Sequence, residues 1–169
     1  MSQYNIFFTG PVGAGKTTAI NSISDIPPIT NPRKSSKADA MDYGVMNLAG
    51  GEKLHLYRTP GQERSDFMPD ILTIGGIGLI LLIDNTRLDP FQDMKFFLNT
   101  FEKFIANTSI AIGITRMDQS KKPTIDDYNI QLNGLHPKPP VFAVDPRVKN
   151  DVSLLVQALL YSIDPSLDE

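Results

Sequence analysis

The stretch that decides the fold is Gly10-Pro-Val-Gly-Ala-Gly-Lys16-Thr17, a glycine-rich loop between an apolar segment and a helical pattern. It matches the spacing G-x-x-x-x-G-K-[ST], in which backbone N–H groups cradle phosphate oxygens. Residues 5–9 before the loop are predicted to form a strand, and residues 16–24 behind it a helix. The positive end of that helix adds to the attraction for phosphate. The sequence therefore predicts a site for a nucleotide polyphosphate.

Within this loop, residue chemistry assigns separate tasks. The ammonium of Lys16 is expected to reach the terminal phosphates, and the hydroxyl of Thr17 to bind Mg²⁺. The predicted nucleotide-binding residues of the loop are Gly10, Gly13, Ala14, Gly15, Lys16, Thr17 and Thr18.

Strands and helices alternate along the rest of the chain. The predicted elements are a hairpin of strands 42–48 and 53–57, a strand at 77–83, a helix beginning at Pro90 after the cap Asp89, a strand at 110–114, a helix at about 124–135, a strand at 141–144, and a last helix capped by Asn150 or Asp151. This order predicts an α/β fold of the P-loop NTPase type with three layers: a mostly parallel six-stranded sheet with one antiparallel edge strand and helices on both faces. Ligands of such sheets bind beyond the carboxyl ends of the strands.

Composition limits the classes of function. The 169 residues suit one domain covering 1–169, and the net charge of −3 argues against a general nucleic-acid binder. There is no cysteine, so thiolate metal sites and disulfides are excluded. The apolar run 74–83 is too short to span a bilayer, and we see no signal peptide or lipidation motif. We expect a cytoplasmic protein without a direct membrane anchor.

The segment Arg58-Thr-Pro-Gly-Gln62 resembles the second switch of Ras-superfamily small GTPases, whose pattern is D-x-x-G-Q. This resemblance extends to bacterial MglA-like and conservon-associated GTP-binding proteins. It implies that the Gly61 N–H senses the γ-phosphate and that Gln62 orients the attacking water. Gln62 and Lys16 are therefore the candidate catalytic residues.

Two later segments resemble the guanine-binding motifs of that family. Thr115-Arg-Met-Asp118 stands where N-K-x-D is expected, so Asp118 would pair with guanine N1–H and the 2-amino group. Thr115 replaces the asparagine, and Arg116 would lie along the base. Asp145-Pro-Arg stands at the S-A-K motif, where Asp145 is a candidate nucleotide contact and Pro146 lacks the N–H that the family offers to guanine O6.

Other positions depart from the family pattern. Arg58 replaces the aspartate that holds Mg²⁺ through a water, and Ala38 stands where a threonine is expected, with Ser35 or Ser36 as substitutes. These departures suggest that the charge of Arg58 partly replaces Mg²⁺ in neutralising the phosphates. Val12 would crowd an approaching arginine finger, which favours slow hydrolysis or activation from another direction.

The sequence supports a GTP-binding switch with slow GTP hydrolysis, using GTP or GDP and Mg²⁺. The resemblance implies a protein partner, in related systems often a roadblock/LC7-type dimer. One alternative is a pseudo-GTPase scaffold that binds nucleotide weakly or without hydrolysis. Another is a P-loop ATPase or small kinase, for which Asp84 is the candidate second acid.

Overall fold

A computed structural model describes residues 3–27, 43–59 and 75–163 of the chain. The predictions for Gly61 and Gln62 and for the first-switch candidates Ser35, Ser36 and Ala38 lie outside these residues. The phosphate loop and both predicted base-binding segments lie within them.

A single sheet organises this part of the chain. Its strands are β1 (Gln3–Thr9), β2 (Tyr43–Asn47), β3 (Lys53–Arg58), β4 (Gly76–Asp84), β5 (Ile110–Thr115) and β6 (Val141–Ala143). The spatial order is β2-β3-β1-β4-β5-β6, with five parallel strands and β2 antiparallel at one edge. The predicted sheet is confirmed.

Helices cover both faces, which completes the three predicted layers. They are α1 (Lys16–Ile23), α2 (Pro90–Thr100), α3 (Glu102–Ala106), α4 (Ile125–Gln131) and α5 (Lys149–Ile163). One face of the sheet packs against α1 and α5 through residues such as Ile20 and Leu155. The other face packs against α2 and α4 through Met94, Phe97 and Tyr128. The phenylalanine stripe after Asp89 is thus core, as its helical period indicates.

Three helix boundaries differ from the sequence prediction. The helix from Pro90 is interrupted at Phe101, which has φ −103° and ψ 18° and separates α2 from α3. The next helix ends at Gln131 rather than near 135, because the chain turns through Asn133 and Gly134, residue types that favour turns.

The last helix begins at Lys149, so Asn150 and Asp151 lie inside its first turn and neither is its cap. The carboxylate of Asp151 instead accepts a hydrogen bond from the N–H of Asp145 in the preceding loop, at 2.9 Å. Within the described residues, no helix combines the length and apolarity needed to cross a membrane.

Candidate functional site

The phosphate loop rises from the carboxyl end of β1, in the middle of the sheet, and passes very close to β4. Gly10 has φ +144°, and a Cβ at this position would lie 2.1 Å from the carbonyl oxygen of Leu82. Only glycine fits this approach without displacing backbone. The loop is therefore fixed against the sheet at the point where it begins.

Lys16 lies at the start of α1 and is 4% exposed. Its Nζ donates a hydrogen bond to the carbonyl oxygen of Gly10 at 2.5 Å, so the ammonium lies within the curve of the loop. Gly15 occupies the N-cap in a left-handed conformation and has no side chain with which to cap the helix. The first N–H groups of α1 and the helix dipole are thus directed toward a ligand at the loop. Thr17 follows in the first turn and is partly buried.

A cavity of about 460 Å³ opens beside the loop, a size typical of small-molecule sites. Three segments line it: the end of the phosphate loop with α1, the segment after β5, and the segment after β6. The predicted site residues among its lining are Ala14, Gly15, Thr18, Thr115, Arg116, Asp118 and Asp145. The structure thus brings the two predicted base-binding segments together beside the phosphate loop.

The segment after β5 presents Asp118 to this cavity as an exposed carboxylate. Thr115 is buried, and its hydroxyl donates to the carbonyl oxygen of Ile83 at 3.3 Å. Arg116 adopts a left-handed conformation with φ 60°, which is uncommon for a residue with a side chain. Its guanidinium Nη1 donates to the Oδ2 atom of Asp84, a contact that the sequence analysis missed.

Asp84 ends β4 and is 4% exposed. Its Oδ1 atom accepts hydrogen bonds from the Thr86 N–H at 2.9 Å and the Thr86 hydroxyl at 2.6 Å. Burial acts to raise the pKa of Asp84, but the Thr86 hydrogen bonds and the Arg116 charge outweigh it and lower the pKa below its usual value. Both carboxylate oxygens are engaged, which counts against Asp84 as the metal-binding acid of an ATPase or kinase.

In the segment after β6, the backbone N–H groups and the Asp145 carboxylate are hydrogen-bonded within the protein. The Asp145 N–H donates to Asp151, Pro146 has no N–H, and the Arg147 N–H donates to the Oδ1 atom of Asp145 at 3.0 Å. The Arg147 guanidinium also binds the Asp145 carboxylate, and these hydrogen bonds lower the pKa of Asp145 to about 2. The backbone of residues 145–147 therefore keeps no N–H for a base carbonyl, and the expected nucleotide contact of Asp145 competes with these bonds.

Pro146 packs this segment against the end of the phosphate loop. A Cβ added to Gly15, which has φ +103°, would lie 2.6 Å from Cγ and 3.1 Å from Cβ of Pro146. The proline ring therefore packs directly over the backbone at the base of α1.

The residues predicted to lie near Mg²⁺, the ion that the resemblance to small GTPases implies, are Thr17 and Arg58. The Thr17 hydroxyl fits this ion. Arg58, however, ends β3, is 8% exposed, and is the register partner of Phe8 of β1. Because Leu54 and Leu56 pack on the α1 face, strand alternation places Arg58 on that same face. An arginine at this position supplies no ligand oxygen, so among the described residues the predicted metal site fits Mg²⁺ only in part.

Among the residues that the structure describes, no group of three or more His, Cys, Asp or Glu side chains could hold a metal ion. Val12 is 54% exposed on the outside of the phosphate loop. Its predicted effect on an arginine finger stays a prediction.

The sequence analysis also missed hydrogen bonds between the ends of β1 and β3. The Thr59 hydroxyl donates to the Thr9 hydroxyl at 2.8 Å, and the Thr59 N–H donates to the Phe8 carbonyl at 2.9 Å. Both threonines are fully buried. The strand that leads into the phosphate loop is thus fastened to the residue just before the Pro-Gly-Gln segment.

Sheet order, phosphate loop and cavity together define the fold of a P-loop NTPase G domain. In agreement, the structure superposes on the G domain of the T. maritima FeoB iron transporter with a TM-score of 0.69 and 18% identity, covering 94% of this chain and 97% of that one. This likeness establishes a small-GTPase-like fold.

Sequence comparison adds little to this assignment. No family model matches the chain. An uncharacterised protein of Methanocaldococcus jannaschii is 24% identical over 129 residues, covering 75% of this chain and 79% of that protein.

Proposed function

We propose that the chain is a single G domain, residues 1–169, that binds GTP and GDP and acts as a switch with slow GTP hydrolysis. The observation that carries this proposal is the convergence of three segments on one cavity beside the phosphate loop. A polyphosphate would lie on the loop, with Lys16 neutralising its charge and the N–H groups of α1 donating to its oxygens. The base would occupy the cavity, where Asp118 accepts hydrogen bonds from guanine N1–H and the 2-amino group.

Hydrolysis in this proposal depends on positioning, since phosphoryl transfer needs little covalent help from the protein. Gln62 is proposed to orient the attacking water, and the Gly61 N–H to sense the γ-phosphate. Mg²⁺, when bound, neutralises charge on the β- and γ-phosphates. Thr17 is the residue proposed to hold it.

Nucleotide binding by purified protein is the first test. We expect the unaltered chain to bind GDP and GTP and to ignore ATP. Lys16→Ala should remove binding of every nucleotide, since it removes the cation within the loop. Tight ATP binding with GTP ignored would refute the assignment.

Asp118→Asn gives a sharper test of base recognition. An amide presents one donor and one acceptor, which suits xanthine with its 2-oxo group rather than guanine with its 2-amino group. We expect GDP affinity to fall on the order of a hundredfold and xanthosine diphosphate to bind instead. An unchanged preference for GDP would remove Asp118 from the site.

A second candidate function is a pseudo-GTPase scaffold, which is favoured by a buried arginine, Arg58, at the position where the family has its Mg²⁺-holding aspartate. Single-turnover phosphate release separates the two. A slow release that Gln62→Leu abolishes supports the switch. Phosphate release that is no faster than in buffer without protein, and that Gln62→Leu does not change, supports the scaffold.

The partner and the cellular location belong to the same proposal. A switch requires a protein that distinguishes the GTP-bound from the GDP-bound form, and a roadblock/LC7-type dimer in the cytoplasm is the candidate that the family resemblance supplies. Pull-down with the protein loaded with a non-hydrolysable GTP analogue, compared with GDP, tests it.

A further inference from the structure

Base recognition in the proposed site depends on one segment. The loop at residues 145–147 has used its own N–H groups, so its backbone offers no donor to a guanine carbonyl. The segment after β5, with Asp118, therefore carries more of the base contact than in a site where both segments donate. The accuracy with which this segment is held should then decide how well the base is bound.

The segment is built around one residue in a strained conformation. Arg116 has φ 60°, and the N–H groups of Gln119 and Ser120 both donate to its carbonyl oxygen, at 3.0 and 3.1 Å. Asp118 lies within this turn. A left-handed arginine persists only where its surroundings hold it, since the conformation is unfavourable for a residue with a Cβ.

Asp84 holds that residue from the neighbouring strand. Asp84 and Thr115 are register partners at the ends of β4 and β5, so the carboxylate lies beside the start of the turn. It pairs with the Arg116 guanidinium, and Thr86 fixes its other oxygen. The side chain of Arg116 is 42% exposed whereas that of Asp84 is 6% exposed, so the carboxylate is the fixed partner.

We propose that Asp84 is a positioning residue for base recognition, acting through Arg116 to hold the turn that presents Asp118. The proposal rests on the proposed function, because it concerns the same site. Asp84 itself is not among the residues that line the cavity. Loss of its charge releases the Arg116 side chain, relaxes the left-handed residue and lets Asp118 move relative to the base.

The test compares Asp84→Asn with the matched control Asp93→Asn. Asp93 also pairs with an arginine, Arg87, at 2.5 Å, but on α2 and outside the cavity lining. In nucleotide-free protein, D84N should raise the hydrogen-exchange rates of the Gln119 and Ser120 amides by roughly tenfold, and D93N should leave them unchanged. Unchanged rates in D84N would overturn the proposal whatever the nucleotide affinity.

GDP affinity is the second measurement. D84N should weaken GDP binding by roughly tenfold, and adding Thr86→Val to D84N should weaken it no further, because Thr86 lies outside the cavity lining and its hydroxyl acts through the Asp84 carboxylate that D84N already removes. Normal GDP binding by D84N, or additive losses in the double variant, would overturn the positioning role alone. Absence of GDP binding by the unaltered chain would instead refute the proposed function.

Discussion

Replacement of Gly15 by alanine should destabilise the fold through two separable effects. The residue has φ +103°, where a side chain is strained at a cost of about 1–2 kcal/mol. The new Cβ would also lie 2.6 Å from Cγ of Pro146. The ring cannot rotate away, and the N–H of Asp145 before it is bonded to Asp151, so displacing it should cost a further ~1–3 kcal/mol. The expected loss in free energy of unfolding is about 2–5 kcal/mol.

Gly13→Ala is the matched control. Gly13 has φ +84°, yet an added Cβ meets nothing within 4 Å, so only the backbone strain applies. Urea unfolding followed by circular dichroism, with nucleotide removed because a ligand adds its own stabilisation, gives both values. Pro146→Ala in the Gly15→Ala background removes the ring carbon in closest contact and should recover at least about 1 kcal/mol.

Two outcomes would refute this reasoning. One is a Gly15→Ala variant no less stable than Gly13→Ala, which would mean that the proline ring moves freely. The other is a Pro146→Ala change that restores nothing, which would place the whole cost in the backbone.

Three further predictions concern the core, acid stability and the metal. Tyr128→Phe should lower the free energy of unfolding by about 1–3 kcal/mol in urea titrations, because the phenol donates to Oδ1 of the buried Asn85 at 2.6 Å and the amide oxygen loses that partner. The pKa of Asp145 is lowered from 3.8 to about 2, so its contribution to stability is present above pH 4 and is lost as the pH falls through about 2. Arg147→Ala should therefore make the melting temperature depend less on pH between pH 4 and 2. Equal slopes of melting temperature against pH in the variant and the unaltered chain would contradict this. Arg58→Ala should reduce GDP affinity more in chelator than in Mg²⁺; an equal reduction under both conditions would show that its charge does not replace the metal.

The sequence was sufficient for the sheet and the phosphate loop because their signals are local. Glycines followed by Lys16 and Thr17 specify the loop, and alternating strand and helix patterns specify the layers. The sequence did not reveal the break between α2 and α3 at Phe101, because the residues on both sides continue the same apolar stripe. Buried side chains keep their period through a one-residue interruption, so periodicity alone does not reveal it.

At the site, the sequence predicts Asp118 and Arg116 as base-binding residues, and both line the cavity, but it does not reveal what holds them. The pair of Asp84 with Arg116 depends on two strand ends being adjacent, which becomes visible only after β4 and β5 are aligned. The sequence predicts Asn150 or Asp151 as a helix cap, since both residue types favour that position. The actual partner of the Asp151 carboxylate, the N–H of Asp145, lies in a loop whose path no local pattern specifies.

The central place of β1 has a consequence for synthesis of the chain. The phosphate loop is synthesised before β3 and β4, but β1 pairs with both of these strands, and Gly10 rests against the backbone of Leu82. Segments so distant in sequence must be brought together before these contacts form, which makes the contacts slow to appear. A nascent chain that ends before β4 contains the whole glycine-rich motif but lacks the neighbouring strand against which Gly10 packs. Nucleotide therefore cannot assist folding at the ribosome until β4 has emerged.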